Sequence, residues 1–211
     1  MPESLVQKLK KDVNRLKKEV GKLRATIEID ALTGLYNRHG FTKRAEGFLR
    51  TIEWGLHHHK EHRQTFLIRD FTAVFVDLDD FKSVNDAYGH KAGDEVMKGI
   101  AEILKKYTKD VDILSRWGGD EFVLGLVGIG ENYGLKIAER LRRKIAGCRF
   151  KVDKEIIRTT ASFGVANALY CHKETKSINL FRLIEEADEA MYDVKKKLGK
   201  NFVASYHKVK K

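Results

Sequence analysis

A mixed α/β domain built around one sheet and approached through a separate helical stalk is the architecture this sequence predicts. Three observations point to it. The first 27 residues repeat apolar side chains at coiled-coil spacing. The chain beyond them alternates helix-period and strand-like apolar segments. Acidic residues collect where two of the strand-like segments end.

In the stalk the apolar series is Val6, Leu9, Val13, Leu16, Val20, Leu23 and Ile27, spaced 3, 4, 3, 4, 3, 4. β-Branched residues hold the a positions and leucines the d positions, the combination that favours parallel two-stranded coils. Across such a dimer Asp12 faces Lys17 and Glu19 faces Arg24, opposite charges in both cases. A parallel dimer stalk over residues 1–29 is therefore expected. A single amphipathic helix folded back on its own domain is the alternative, and Gly21 at a b position weakens the helix slightly.

Residues 38–56 read as a helix, and the β-rich run Phe71-Thr72-Ala73-Val74-Phe75-Val76 as a strand that stops at Asp77. A helix over 92–107 carries Val96, Ile100 and Leu104 on one face. Asp112 to Trp117 and Phe122 to Val127 are the two strands of a hairpin that turns at Gly118-Gly119. Tyr133 to Ala146 is a helix with Ile137, Leu141 and Ile145 in register. Thr159 to Ala166 then reads as a strand, Leu180 to Leu198 as a helix, and Phe202 to Tyr206 as an edge strand.

The chain has 211 residues, 42% hydrophobic and 34% charged, enough for one full domain with a small appendage and a buried core. No apolar run approaches the length of a membrane span, and Met1-Pro2-Glu3 does not open a secretory signal, so a cytoplasmic protein is expected. Cys148 and Cys171 form no CxxC pair and read as reduced structural thiols. The net charge of +11 resides at the two ends: residues 1–29 carry +4 and residues 195–211 carry +7, while residues 30–194 hold 26 charges of each sign. A neutral body between basic ends argues against a nucleic-acid surface. There is one proline, no internal repeat and no low-complexity tract.

The acidic groups are Asp77, Asp79 and Asp80 after one strand, and Asp120 and Glu121 at the hairpin turn. Carboxylate oxygens are what a hard cation such as Mg²⁺ selects, and neighbouring strand ends bring such groups together across 43 residues of sequence. Metal-assisted phosphoryl transfer is one reading, solvated turn residues the other. Successive strand residues point to opposite faces, so Asp120 and Glu121 serve one centre only if the turn bends them together. Gly118 and Gly119 permit that bend and let a phosphate approach the backbone.

Arg116-Trp117-Gly118-Gly119-Asp120-Glu121-Phe122 contains GGDEF, the signature of the diguanylate cyclases, and further segments follow that family in order. Asp30-Ala31-Leu32-Thr33-Gly34-Leu35-Tyr36-Asn37-Arg38 resembles its opening segment. Asp77 to Asp86 and Tyr88 to Asp94 resemble its nucleotide-binding stretch, and Ala161 to Ala166 and Ala187 to Tyr192 complete the match. The resemblance implies a ferredoxin-like nucleotide-cyclase palm, α/β (α+β), with a central mainly antiparallel sheet flanked by helices and preceded by an N-terminal coiled-coil helix. It implies a catalytic domain over residues 30–211 that condenses two GTP into cyclic di-GMP with release of two pyrophosphates, across a homodimer.

By the same resemblance Asp77, Asp120 and Glu121 are the catalytic and metal-binding carboxylates, with the Leu78 carbonyl assisting. They would hold two Mg²⁺ ions per active site, with Mn²⁺ as the substitute. Asn85 and Asp94 would read guanine, and the chemistry agrees, because its donor edge suits a carboxylate and its acceptor suits an amide. Phe81 and Lys82 would offer backbone N–H groups to the phosphates, beside Gly118 and Gly119. Either Lys195 or Lys196 would be the phosphate-binding lysine, together with Lys200, because this chain has one residue more than expected before Gly199. A catalytically silent module binding GTP or cyclic di-GMP is the alternative function, and the upstream sensor is not specified.

Three features depart from the pattern or stand outside it. Lys109-Asp110-Val111-Asp112 occupies the place of the family's Arg-x-x-Asp product-inhibition site, and lysine lacks the planar fork of arginine, so tight feedback is not expected. The stretch from Thr51 to Asp70 is about ten residues longer than expected and contains His57-His58-His59-Lys60-Glu61-His62, read as a polar loop with metal binding as the alternative. Trp117 reads as a core aromatic of the hairpin rather than a nucleotide-stacking residue.

Overall fold

The computed structural model describes residues 3–57 and 68–209. Helix α1 (Glu3–Thr26) precedes α2 (Arg38–His57). The core follows as β1 (Phe71–Leu78), α3 (Phe81–Tyr88), α4 (His90–Tyr107), β2 (Ile113–Gly118), β3 (Glu121–Val127) and α5 (Glu131–Ala146). A small hairpin, β4 (Phe150–Val152) and β5 (Glu155–Ile157), leads to β6 (Ala161–Asn167), α6 (Ala168–Thr175), α7 (Leu180–Leu198), β7 (Val203–Ser205) and α8 (Tyr206–Val209).

The main sheet has the order β2-β3-β1-β6-β7. Its first four strands are antiparallel neighbours and only β7 pairs in parallel, with β6. This is the mainly antiparallel palm that the resemblance implies. β1 lies in the middle and is buried on both faces, which is why it reads as an unbroken apolar run. Val74, Val76 and Leu78 pack with α4 and α5 through Ile100, Leu104 and Leu141. Phe71, Ala73 and Phe75 pack with α2 and α7 through Phe41, Leu49, Leu183 and Ala187.

That alternation positions the chemistry. Asp77 follows Phe75 by two residues, so its side chain falls on the α2 and α7 face of the sheet, at the end of the strand. Its direct cross-strand neighbours are Glu121 on β3 and Ser162 on β6, which share that face.

In α1 the heptad residues Leu9, Val13, Leu16 and Val20 are 45–53% exposed, so the domain does not cover the stripe. The helix ends at Thr26, leaving Ile27 beyond it. From there the chain straps onto the domain: Asn37 Nδ2 donates to the Ile27 carbonyl at 2.8 Å and Asn37 N to the Glu28 carbonyl at 2.9 Å. Glu28 pairs with Lys43 and Arg44 of α2. Gly40 is required there, since a Cβ would stand 2.3 Å from the Glu28 carbonyl oxygen. The strap then bridges to β2, with Tyr36 N on the Leu114 carbonyl and Arg116 N on the Tyr36 carbonyl.

The expected helices and strands are present with ends moved by one to a few residues. β1 runs to Leu78 rather than stopping at Asp77. α3, β4, β5, α6 and α8 were not expected from periodicity. Most of the histidine-rich stretch, His58 to His62, lies outside the described residues.

Candidate active site

The site is assembled from the ends of β1 and β3, the turn between β2 and β3, the start of α3 and the C-terminal half of α7. Asp77 accepts a charged hydrogen bond from Lys195 Nζ, which also lies 3.5 Å from Asp79 Oδ1. Lys196, by contrast, lies over the Tyr192 ring at 4.3 Å. Of the two lysines left open by the sequence, Lys195 therefore joins the carboxylates. Lys200 reaches Asp80 instead.

Asp79 is buried and fully occupied. Its carboxylate accepts from Thr160 Oγ1 at 2.6 Å, Ser162 Oγ at 2.7 Å and Asn201 N at 2.9 Å. It fastens β1, β6 and the segment after α7 together rather than facing solvent. Asp80 is exposed with φ +54°, the left-handed conformation that reverses the chain into α3. Phe81 is buried and Lys82 exposed at the first turn of α3. Leu78, also buried, donates its N–H to the Asp120 carbonyl at 3.3 Å.

The signature turn bends as its glycines allow. β2 ends at Gly118 with a register shift after Arg116, and Gly119 adopts φ +42°. Arg116 clamps this turn: Nε and Nη2 donate to the Gly119 carbonyl at 3.0 and 2.8 Å, while Nη1 lies 3.5 Å from Asp30 Oδ2. Asp30 is itself held by Thr33 N and Oγ1. The strap that leaves the stalk is thus connected side chain by side chain to the turn. Trp117 meets the Phe41 ring edge-to-face at 5.7 Å and has Arg38 over its ring at 4.7 Å, a partly buried aromatic packed against the core.

Asn85 on α3 and Gly93-Asp94 on α4 face each other. A Cβ at Gly93 would stand 1.9 Å from Asn85 Oδ1, so glycine is what admits the Asn85 amide against α4. Asn85 thus packs against the turn of α4 that carries Asp94.

The carboxylates act on one another. Burial is the main force raising Asp77 above its ordinary value, aided by Asp120 and Asp79 and opposed by Lys195. Burial, then Asp77, Asp188 and Asp120, push Glu121 up, with Arg38 opposing. Asp188 on α7 is raised by burial and by Asp77. Burial, the largest single influence on Lys195, lowers it, but Asp77 and Asp79 together raise it above its ordinary value. Asp188 is a site residue without a role in the sequence reading. Its spacing of seven from Lys195, two turns along one helix face, is the signal that marks it.

Among the described residues no three His, Cys, Asp or Glu side chains are gathered to chelate an ion on their own. Mg²⁺ does not require that: it takes one or two carboxylates and completes its shell with water and substrate phosphates. Hard oxygen donors that raise one another's affinity for protons fit such an ion. Asp77, Asp120 and Glu121, with the Leu78 carbonyl, are the groups that would hold it.

A five-stranded palm with its acidic site at the strand ends is the frame of a nucleotide-cyclase-type domain. The chain belongs to the diguanylate cyclase GGDEF-domain family, whose pattern it matches over residues 27–201. It is 33% identical over 174 residues to diguanylate cyclase A of Treponema denticola, covering 82% of this chain and 43% of that protein. It is 33% identical over 185 residues to diguanylate cyclase DgcM of Escherichia coli, covering 87% and 40%. The chain thus spans less than half the length of these curated relatives. In fold it resembles the coiled coil and GGDEF domain of DgcB from Caulobacter crescentus solved with c-di-GMP, with a TM-score of 0.68, 23% identity, and coverage of 96% of this chain and 98% of that one.

Proposed function

We propose that this chain is a diguanylate cyclase that condenses two GTP into cyclic di-GMP and two pyrophosphates, each 3'-hydroxyl attacking the α-phosphate of the GTP held by the opposite subunit. The observation that carries the reading is the cross-strand pair Asp77–Glu121 with Lys195 upon it, in the frame of the family. Glu121 receives the 3'-hydroxyl proton. Its raised affinity for protons suits a base, and its position beside the glycine turn suits an incoming sugar. Lys195 exchanges Asp77 for phosphate oxygen as the triphosphate enters, and Lys200 leaves Asp80 in the same way. The N–H groups at Phe81 and Lys82 and the backbone at Gly118 and Gly119 take further phosphate oxygens. Asn85 and Asp94 select guanine over adenine.

Mg²⁺, when bound, neutralises the triphosphate and the departing pyrophosphate. Pairing of α1 as a parallel coil brings two domains face to face, supported by the uncovered heptad stripe and the complementary g and e' charges. A GTP substrate suits the cytoplasm. Among the described residues no helix is long and apolar enough to cross a membrane. Product feedback through residues 109–112 is weak in this reading, because the Asp112 carboxylate is taken by Lys109 N at 2.9 Å and Val127 N at 3.0 Å.

Incubation with GTP and Mg²⁺, followed by mass spectrometry of the products, tests the proposal. Cyclic di-GMP is expected from the parent chain, about 10³-fold less from Glu121→Gln, and no adenine dinucleotide when ATP is added. GTP binding without any product at high protein concentration would instead make the chain a silent binding module.

A further inference from the structure

At the end of the sheet away from the carboxylates, α2 and α6 bring two histidines together. His57 ends α2 and His172 lies in the last turn of α6, with ring centroids 6.0 Å apart and planes at 72°. Nε2 of His172 is buried and has no hydrogen-bond partner among the described residues. A buried imidazole nitrogen without a partner loses hydration with nothing in return, a cost that a bound cation removes.

The surroundings fix this pair in place. Leu49, Ile52, Cys171 and Leu180 share one apolar cluster, so the two helices have a common core. Glu53, one turn before His57, accepts from Ile178 N at 3.2 Å, which fastens the end of α2 to the segment after α6. Both histidines stand at helix C-terminal turns, where the backbone carbonyls favour a cation. Two imidazoles on one ion hold their centroids on the order of 5–6 Å apart, because each metal–nitrogen bond is about 2 Å. The observed centroid separation of 6.0 Å falls in that range.

The geometry points to a transition-metal site formed by His57 and His172, taking a borderline divalent ion such as Zn²⁺ with water completing the shell. Imidazole nitrogen selects Zn²⁺ and its neighbours in the series over Mg²⁺. The position separates this site from the reaction. Asn167, five residues before His172, pairs with Thr72, and Asp77 lies five strand residues farther, about 17 Å at the strand rise. An ion here staples α2 to α6 and stabilises the fold without touching substrate.

Calorimetric titration of the tag-free chain with Zn²⁺, in excess Mg²⁺ to occupy carboxylate sites, tests the assignment. The parent chain is expected to bind Zn²⁺ and to melt at a higher temperature with it. His172→Ala and His172→Gln should each weaken binding about tenfold or more and remove that shift, while His90→Ala, on an exposed residue elsewhere, leaves both unchanged. Two variants are used so that one that fails to fold does not decide the result. Zn²⁺ binding as tight in a folded His172 variant as in the parent would overturn the site, as would a parent chain that binds none.

Discussion

Glu121 sits where three other carboxylates oppose its ionisation, and that conflict has a measurable sign. Burial first, then Asp77, Asp188 and Asp120, raise its proton affinity in the folded chain. A carboxyl bound to its proton more tightly when folded contributes stability that is present at low pH and lost as pH rises through the folded value. At neutral pH the ligand-free protein therefore carries a destabilising charge at this position. Glu121→Gln is expected to melt at a higher temperature than the parent at neutral pH, with the gap closing as the pH falls toward the carboxylate range, while cyclase activity drops about 10³-fold. An unchanged melting temperature at neutral pH would mean the charge is already compensated. Asp77, Asp120 and Glu121 were legible because a family signature surrounds them. The parts played by Asp79 and Asp80 were not: they stand within three residues of Asp77, and only the fold buries the first of them and exposes the second.

Among the elements, those the sequence does not betray are those too short to show a period. β4 and β5 have three residues each, and α3 and α6 have eight with only two buried residues apiece. Strand β1 and helices α4, α5 and α7 were legible because each buries a long apolar face. What joins these elements at the site is polar and long-range, beyond any local pattern. Asp79 links β1 to Thr160 and Ser162 of the β6 region and to Asn201 after α7. Asp79→Ala removes a buried acceptor from three donors and is expected to cost about 3 kcal/mol, read as a fall in the denaturation midpoint. The strap behaves likewise. Asp30, Arg116 and the Gly119 carbonyl form a chain that only the folded hairpin brings together, 86 residues apart at its first step.

At the scale of the whole chain, the proposed reaction assigns the palm half of a two-substrate reaction and the helix α1 the means of pairing. The heptad was legible from spacing alone, and its exposed face in the folded chain agrees with a partner rather than with the domain as its cover. Charging the stripe by Leu9→Lys with Leu16→Lys is expected to shift the protein toward monomer in sedimentation and to lower specific activity most at low protein concentration. Activity independent of both changes would separate the stalk from catalysis.

The claim that each cyclic product needs two competent chains is tested most directly by mixing. Parent chain and Glu121→Gln chain are combined at constant total protein, allowed to exchange partners, and assayed for cyclic di-GMP. A reaction that requires both chains falls as the square of the parent fraction, to about a quarter at equal mixture, because only pairs of parent chains close the ring. A linear fall, to about half, would show that each chain completes the product by itself and would contradict the account.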